Sequence, residues 1–393
     1  MTTTQRETGV FIYERITLPS SGGLSRVMAE DQIRSKISVL VVDDSAFMRA
    51  ALSRMIASDP DLVVVGTAAS GAEGLARIAF FNPDVVILDL QMPGLGGIET
   101  LHSIMAEFPR PVIIVSSTSL RDAEITFEAL AVGAFDYVPK QLSSTSLDIS
   151  HIHEDLISKI KAAAHFRQSR TVLRTERKPP RMAGSVAPET RFATPMIVAI
   201  GTSTGGPKAL QEILPLLPTD LSVPILVVQH MPQGFAASFA QRLNALCAVS
   251  VREASHHELI QPGAVYIAPA GTHMTVARTT DSEVVICLTP ERENDRHTQA
   301  VDLMMDSVAS TFRDRSMGVI MTGMGSDGAQ GMKAIHREGG LTVGQDEASC
   351  TVYGMPRVCA QLGILKRVVP LGQIPQEILY ATLYRKRAFN PVI

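Results

Sequence analysis

A chain of 393 residues, 45% hydrophobic and 19% charged, has the makeup of an ordered globular protein of two or three domains. Its net charge of −3 gives no whole-chain reason to bind nucleic acid. Four separated cysteines (Cys247, Cys287, Cys350, Cys359) without a CxxC suggest neither a disulfide framework nor a zinc site, and they read as reduced, mostly buried thiols of a cytoplasmic protein. No apolar run approaches the ~18 residues that span a bilayer, so membrane insertion is not expected. The first residues lack a basic-then-apolar signal pattern, so a secretory leader is not expected. Residues 1–35 are an irregular polar preface, expected to be a disordered extension, with Met28 as an alternative start.

Over 36–147 short apolar runs alternate with amphipathic stretches. Strands are expected at Ser38–Val42, Val63–Gly66, Asp84–Leu88, Val112–Ser116 and Phe135–Val138. Helices are expected near Ser45–Ser58, Gly71–Phe81, Gly97–Phe108 and Arg121–Val132. This alternation predicts a doubly wound, five-stranded parallel sheet with right-handed crossovers. Residues 148–193 follow, with a helix near Ile149–Phe166 and then a stretch from Ser169 to Ala193 rich in Arg, Pro, Thr and Ser. Its basic residues are not interleaved with aromatics, so it reads as a solvated linker.

Over 194–386 the alternation resumes. Strands are expected at Met196–Ile200, Ile225–Gln229, Val265–Ala268, Gly318–Met321, Leu341–Gly344 and Arg367–Val369. A hairpin is expected through Met274–Ala277 and Val284–Leu288. The second domain is therefore predicted as a mostly parallel α/β sheet with an antiparallel hairpin.

In the first domain VDD places Asp43 and Asp44 at the end of one strand, and Asp89 ends the third. Three carboxylates meeting at one edge repel unless a cation offsets them. Mg²⁺ suits such a set because it takes carboxylate oxygens and keeps waters for a phosphate. Terminal Asp residues can also simply cap helices, but that leaves Ser116 and Lys140, at two further strand ends, without a role. The set VDD, DLQMPG (Asp89–Gly94), Ser116 and GAFDYVPK (Gly133–Lys140) resembles the receiver domain of two-component response regulators. The resemblance implies Asp89 as phosphoryl acceptor. It implies Asp44, Asp89 and the Gln91 carbonyl as Mg²⁺ ligands, with Asp43 supporting through water. Ser116 and Tyr137 would be the switch pair and Lys140 the phosphate contact. Gln141 stands where many receivers have proline; a cis bond there would cost ~3 kcal/mol, so a trans bond and a differently shaped loop are expected.

In the second domain GTSTGG (Gly201–Gly206) and TGMGSDG (Thr322–Gly328) each follow an apolar strand, and a third strand ends in His230. Ser203, His230 and Asp327 would thus emerge at strand carboxyl ends, where open α/β sheets hold their sites. GTSTG fits G-x-S-x-G, with a helix start near Pro207 aimed at an oxyanion. Taken alone, GTSTGG equally fits a phosphate-binding turn. That reading lacks a P-loop lysine and leaves His230 and Asp327 unused, whereas a serine needs a base and the base a carboxylate. The order Ser, His, Asp is not that of α/β-hydrolases. The other histidines (His256, His257, His273, His297, His336) read as structural, His336 on a helix surface and His273 bordering the cleft. Of the methionines Met304, Met305, Met321 and Met332 read as core filling, whereas the turn N–H of Met324 could face the oxyanion.

Together GTSTGG, QHMP, YIAPAGTHM and TGMGSDG closely resemble the catalytic domain of the chemotaxis protein-glutamate methylesterase (CheB) family, over about Met196–Tyr384. The resemblance implies Ser203 as nucleophile, His230 as base then acid and Asp327 as orienting carboxylate, with Thr204 and Met324 at the oxyanion. It implies methylated chemoreceptors as substrate, a chemotaxis histidine kinase as phosphodonor, deamidation of receptor glutamines, and no cofactor for the esterase reaction. Thr202, where alanine is commoner, and HTQAVD (His297–Asp302) depart from the family pattern near the cleft and are read as tuning docking. The rivals are a transcriptional response regulator, which lacks a basic helix-turn-helix here, and a phospho-dependent scaffold with a degenerate esterase domain.

Overall fold

Strand β1 (Ile37–Val42) buries Val39 and Val41 on one face and Leu40 and Val42 on the other, which is why it reads as a continuous apolar run. In the computed structural model it lies inside a five-stranded parallel sheet with β2 (Leu62–Ala68), β3 (Val85–Asp89), β4 (Val112–Ser116) and β5 (Asp136–Pro139). The strand order is β2-β1-β3-β4-β5. Helices α1 (Ala46–Ala57), α2 (Gly71–Phe81), α3 (Gly97–Glu107) and α4 (Leu120–Val132) carry the chain between strands. Ser45, Ser70 and Ser119 start α1, α2 and α4 by accepting an amide of the first turn.

The structure describes residues 36–117, 119–140, 146–175, 193–281, 283–291 and 300–384. The expected N-terminal extension, Gln141, His297 and residues 176–192 of the linker lie outside them. Helix α5 runs over Ser146–Thr175, well past the expected end at Phe166. The seven residues after Gln168 contain no proline or glycine to stop it. Its Leu156, Ile160, Ala163 and Ala164 share one face and join the core of the first sheet.

The second sheet has seven strands, all parallel, in the order β14-β13-β12-β6-β7-β9-β8. They are β6 (Ile197–Thr202), β7 (Ile225–Gln229), β8 (Ser250–Glu253), β9 (Ala264–Ile267), β12 (Ser316–Ile320), β13 (Leu341–Gln345) and β14 (Arg367–Val369). The expected hairpin forms a separate antiparallel ribbon, β10 (Thr272–Arg278) with β11 (Val284–Pro290). The helices that position the site are α6 (Gly206–Ile213), α7 (Ala236–Leu246), α8 (Ala300–Phe312) and α9 (Ala329–Arg337). The edge strand β8 is not among the strands expected from the sequence, because Val251 is its one buried residue, between exposed Ser250 and half-buried Arg252 and Glu253, which gives no apolar run. Met304, Met305, Met321 and Met332 are core residues, as read.

The two sheets are joined through aromatic packing. Helix α4 lies against α6 and α7. Phe127 of α4 stacks on Phe239 at 4.8 Å and meets Phe235 edge-on at 6.1 Å, while Tyr137 of β5 stacks on Phe235 at 4.8 Å. Buried residues of both domains thereby form one apolar cluster. Truncating Phe127 to Ala leaves a cavity at its centre, and the expected loss is about 3–5 kcal/mol of unfolding free energy in urea titration. An unchanged midpoint would mean that this packing does not hold the domains together.

Candidate active site

Strand β6 lies between β7 and β12, and its last registered pairs are Thr202 with Gln229 and Gly201 with Ile320. Ser203 and His230 are therefore the next residues on adjacent parallel strands, about 5 Å apart in the sheet direction. The ladder closes with His230 N–H donating to the Thr202 carbonyl at 3.2 Å, while Ser203 N–H turns to the β12 side and donates to the Thr322 carbonyl at 3.0 Å. The Ser203 carbonyl accepts Gly206 N–H at 2.8 Å, which makes the sharp turn into α6. Gly205 takes a φ of +77° within it, a conformation that favours glycine. Gly323 is required for a different reason, since a Cβ there would lie 2.9 Å from Ser203 Cβ. That contact places the Gly323–Met324 turn directly against the serine.

Thr202 is 0% exposed, so it does not tune docking as expected from the sequence. Its hydroxyl donates to the Thr322 carbonyl at 2.8 Å. The Thr322 hydroxyl donates to the Thr204 carbonyl at 2.9 Å, and Thr322 N–H donates to Gln345 Oε1 at 2.8 Å. The buried polar residues Thr202, Thr322 and Gln345 thus brace the serine turn, Thr204 included, from below.

His230 Nε2 lies 2.7 Å from Asp327 Oδ2. Asp327 also accepts the amides of Val301 and Asp302, each at 3.0 Å, and of Gly328 at 2.9 Å. The first turn of α8 thereby aims its N–H groups at this carboxylate. Asp302 answers from α8 by accepting Gly331 N–H of α9 at 2.7 Å, so the two aspartates cap each other's helices. Burial pushes the Asp327 carboxyl up, but the His230 bond and the backbone amides outweigh it and leave it below the usual carboxylate value. Asp302, raised by burial and by the neighbouring Asp327 charge, sits above it. The Val-Asp pair was visible in the sequence, but the crossed capping was not, because it depends on two helix starts facing each other.

Of the other histidines, His256 accepts Leu288 N–H at 2.9 Å and has a structural partner, as read. His273 is buried, and His336 is half-buried rather than on the surface.

In the first domain Asp43, Asp44 and Asp89 each offer an oxygen, all within 4.8 Å of one another. Lys140 Nζ lies 2.6 Å from Asp89 and 3.3 Å from Asp43. Burial raises the Asp89 carboxyl, and Asp43 adds to the shift despite Lys140 and the Gln91 amide. One ammonium among three clustered carboxylates leaves negative charge uncompensated, and the oxygen-only donor set fits Mg²⁺. Gln91 N–H donates to Asp89 Oδ1 at 3.0 Å and its side chain reaches Asp122. Helix α1 is capped by Ser45, whose N–H donates to Asp43 Oδ1 at 2.9 Å. The Ser116 hydroxyl is engaged by Thr126 of α4 at 2.7 Å. The Tyr137 ring is buried in the seam against Phe235.

A family model described as CheB methylesterase matches residues 198–378, and one for the response regulator receiver domain matches 39–150. The protein-glutamate methylesterase/protein-glutamine glutaminase 2 of Nitratidesulfovibrio vulgaris is 44% identical over 368 residues, covering 87% of this chain and 98% of that protein. The corresponding protein of Symbiobacterium thermophilum is 44% identical over 361 residues, covering 89% and 98%. The chain belongs to the protein-glutamate methylesterase/protein-glutamine glutaminase family. The crystal structure of the Thermotoga maritima CheB methylesterase catalytic domain is similar over 48% of this chain and 98% of that one, with 37% identity and a TM-score of 0.45.

In this methylesterase-family chain the lowered Asp327 value has a sign that can be measured. Its stabilising contribution is fully present above about pH 4, the unfolded value, and is lost as pH falls through the folded value. The unfolding free-energy gap between the natural chain and Asp327→Asn should be widest near neutrality and close on acidification. A gap that stays constant with pH contradicts this assignment.

Proposed function

We propose that Ser203, His230 and Asp327 act as one hydrolytic unit on glutamate methyl esters displayed by a chemoreceptor. The observation that carries this reading is the His230–Asp327 bond, made at the same sheet edge from which Ser203 emerges. Ser203 Oγ attacks the ester carbonyl carbon and its proton passes to His230. With Nε2 tied to Asp327, Nδ1 is the nitrogen that takes it, the reverse of the ring usage in the serine proteases. The anionic oxygen faces the start of α6 and the Thr204 and Met324 amides. His230 then protonates the departing methanol, leaving a glutamyl ester on Ser203. Water, deprotonated by His230, attacks that ester, and the glutamate carboxylate leaves as Ser203 recovers its proton. A glutamine side chain at the same site would lose ammonia and give the same product. These steps need only side chains and water.

Asp89 receives the phosphoryl group from a chemotaxis histidine kinase. Asp43, Asp44, Asp89 and the Gln91 carbonyl would hold Mg²⁺, which supplies positive charge to the incoming phosphate. Lys140 then shares its ammonium between Asp89 and the phosphate, and Ser116 exchanges Thr126 for a phosphate oxygen. The unphosphorylated receiver holds the esterase back by packing α4 and Tyr137 on α6 and α7, the helices that follow Ser203 and His230. Phosphate acts through the difference in stability between the packed and loosened arrangements. No helix among the described residues is long and apolar enough to cross a membrane; the site of action we propose is the cytoplasm.

Ser203→Ala should abolish methanol release from methylated receptor while leaving circular dichroism unchanged, and retained turnover would refute the nucleophile. Deleting residues 1–192 should raise basal release, and Asp89→Asn should remove stimulation by acetyl phosphate. A folded fragment no faster than the full chain would count against receiver inhibition.

A further inference from the structure

Resting on the Ser203–His230 reading above, we infer that Gln229 is a positioning residue that sets the separation of nucleophile and base. Beyond the Thr202–Gln229 pair the β6–β7 ladder has no further registered pair, and its closing backbone bond is the one from His230 to Thr202. Ser203 and His230 lie just past that point, where strands are free to diverge. The Ser203 N–H is already committed to the opposite neighbour, Thr322. The Gln229 side chain bridges this gap. Its Nε2 donates to the Ser203 carbonyl at 3.0 Å and to the His230 carbonyl at 2.7 Å.

A primary amide has two N–H donors in a fixed plane, and here both go to the backbones of the two reacting residues. Gln229 is 6% exposed, so water competes poorly for these bonds. The neighbouring backbone leaves space for the fork, since a Cβ on Gly206 would lie 2.0 Å from Gln229 Oε1. A glycine at the helix start thus serves the fork as well as the turn. A general-base step is sensitive to such spacing, and a displacement of about 1 Å can cost ~100-fold in rate.

The test uses the full chain with Gln229→Met, which keeps length and loses both donors, and Gln229→Glu, which keeps shape and loses the amide nitrogen. For each, kcat and KM for methanol release, the rate of Ser203 labelling by a fluorophosphonate and the thermal midpoint are measured beside Ser203→Ala. The expected result is a kcat and a labelling rate lowered together by about 100-fold with KM within about two-fold. A folded variant with the natural kcat overturns the inference, and so does failure of both variants to fold, which would make Gln229 a folding residue. An inactive Ser203→Ala beside fully active Gln229 variants removes this inference alone, whereas an active Ser203→Ala removes the hydrolytic reading with it.

Discussion

The 2.7 Å contact between His230 and Asp327 joins residues 97 positions apart, and most of the catalytic half is arranged to make it possible. Parallel pairing of β7, β6 and β12 brings His230, Ser203 and the Thr322–Gly328 turn to one edge. The same carboxylate closes the first turn of α8, so helix packing and the proposed acid–base chemistry share one group. Four donors hold it, which keeps it ionised and aimed; an imidazolium formed during ester cleavage needs such a partner. Removing the carboxylate therefore costs a helix start along with the partner of His230.

The regulatory half is connected through a very short lever. Lys140, gripping Asp89, and Tyr137, stacked on Phe235, are three residues apart on β5 and the residue that follows it. In the proposed phosphorylation, a shift of the lysine toward the phosphoryl group would be carried by the strand that holds the seam. Asp136, between Phe135 and Tyr137, is buried there with Lys159 of α5 at 3.8 Å. Burial raises its carboxyl, and the amide of Gly205, in the serine turn, is among the groups that counter the rise. Receiver, linking helix and the Ser203 turn therefore meet around one strand.

Much of this was legible in the sequence because buried parallel strands are unbroken apolar runs and their ends carry the chemistry. Asp43, Asp89, Ser203 and His230 all sit within three residues of where an apolar run stops. What could not be read depends on tertiary approach. Thr202 reads in the sequence as a change near the cleft that tunes docking, yet its hydroxyl spans β6 to the Thr322 carbonyl. Gln229 looked like the end of a strand, and nothing local shows that its amide forks onto two carbonyls. Strand β8 escaped because two of its four residues are Arg252 and Glu253. The far end of α5 escaped because residues 169–175 have no apolar period to mark a helix.

The central claim is that Ser203 carries the acyl group, and the most direct measurement is mass spectrometry of the acid-quenched enzyme during turnover of a methylated receptor peptide. The glutamyl-peptide adduct is expected on the fragment containing Ser203 when the natural chain is quenched in mid-turnover, and is expected to be missing from Ser203→Ala. Turnover with no adduct on that fragment, or with the adduct on another side chain, would contradict it.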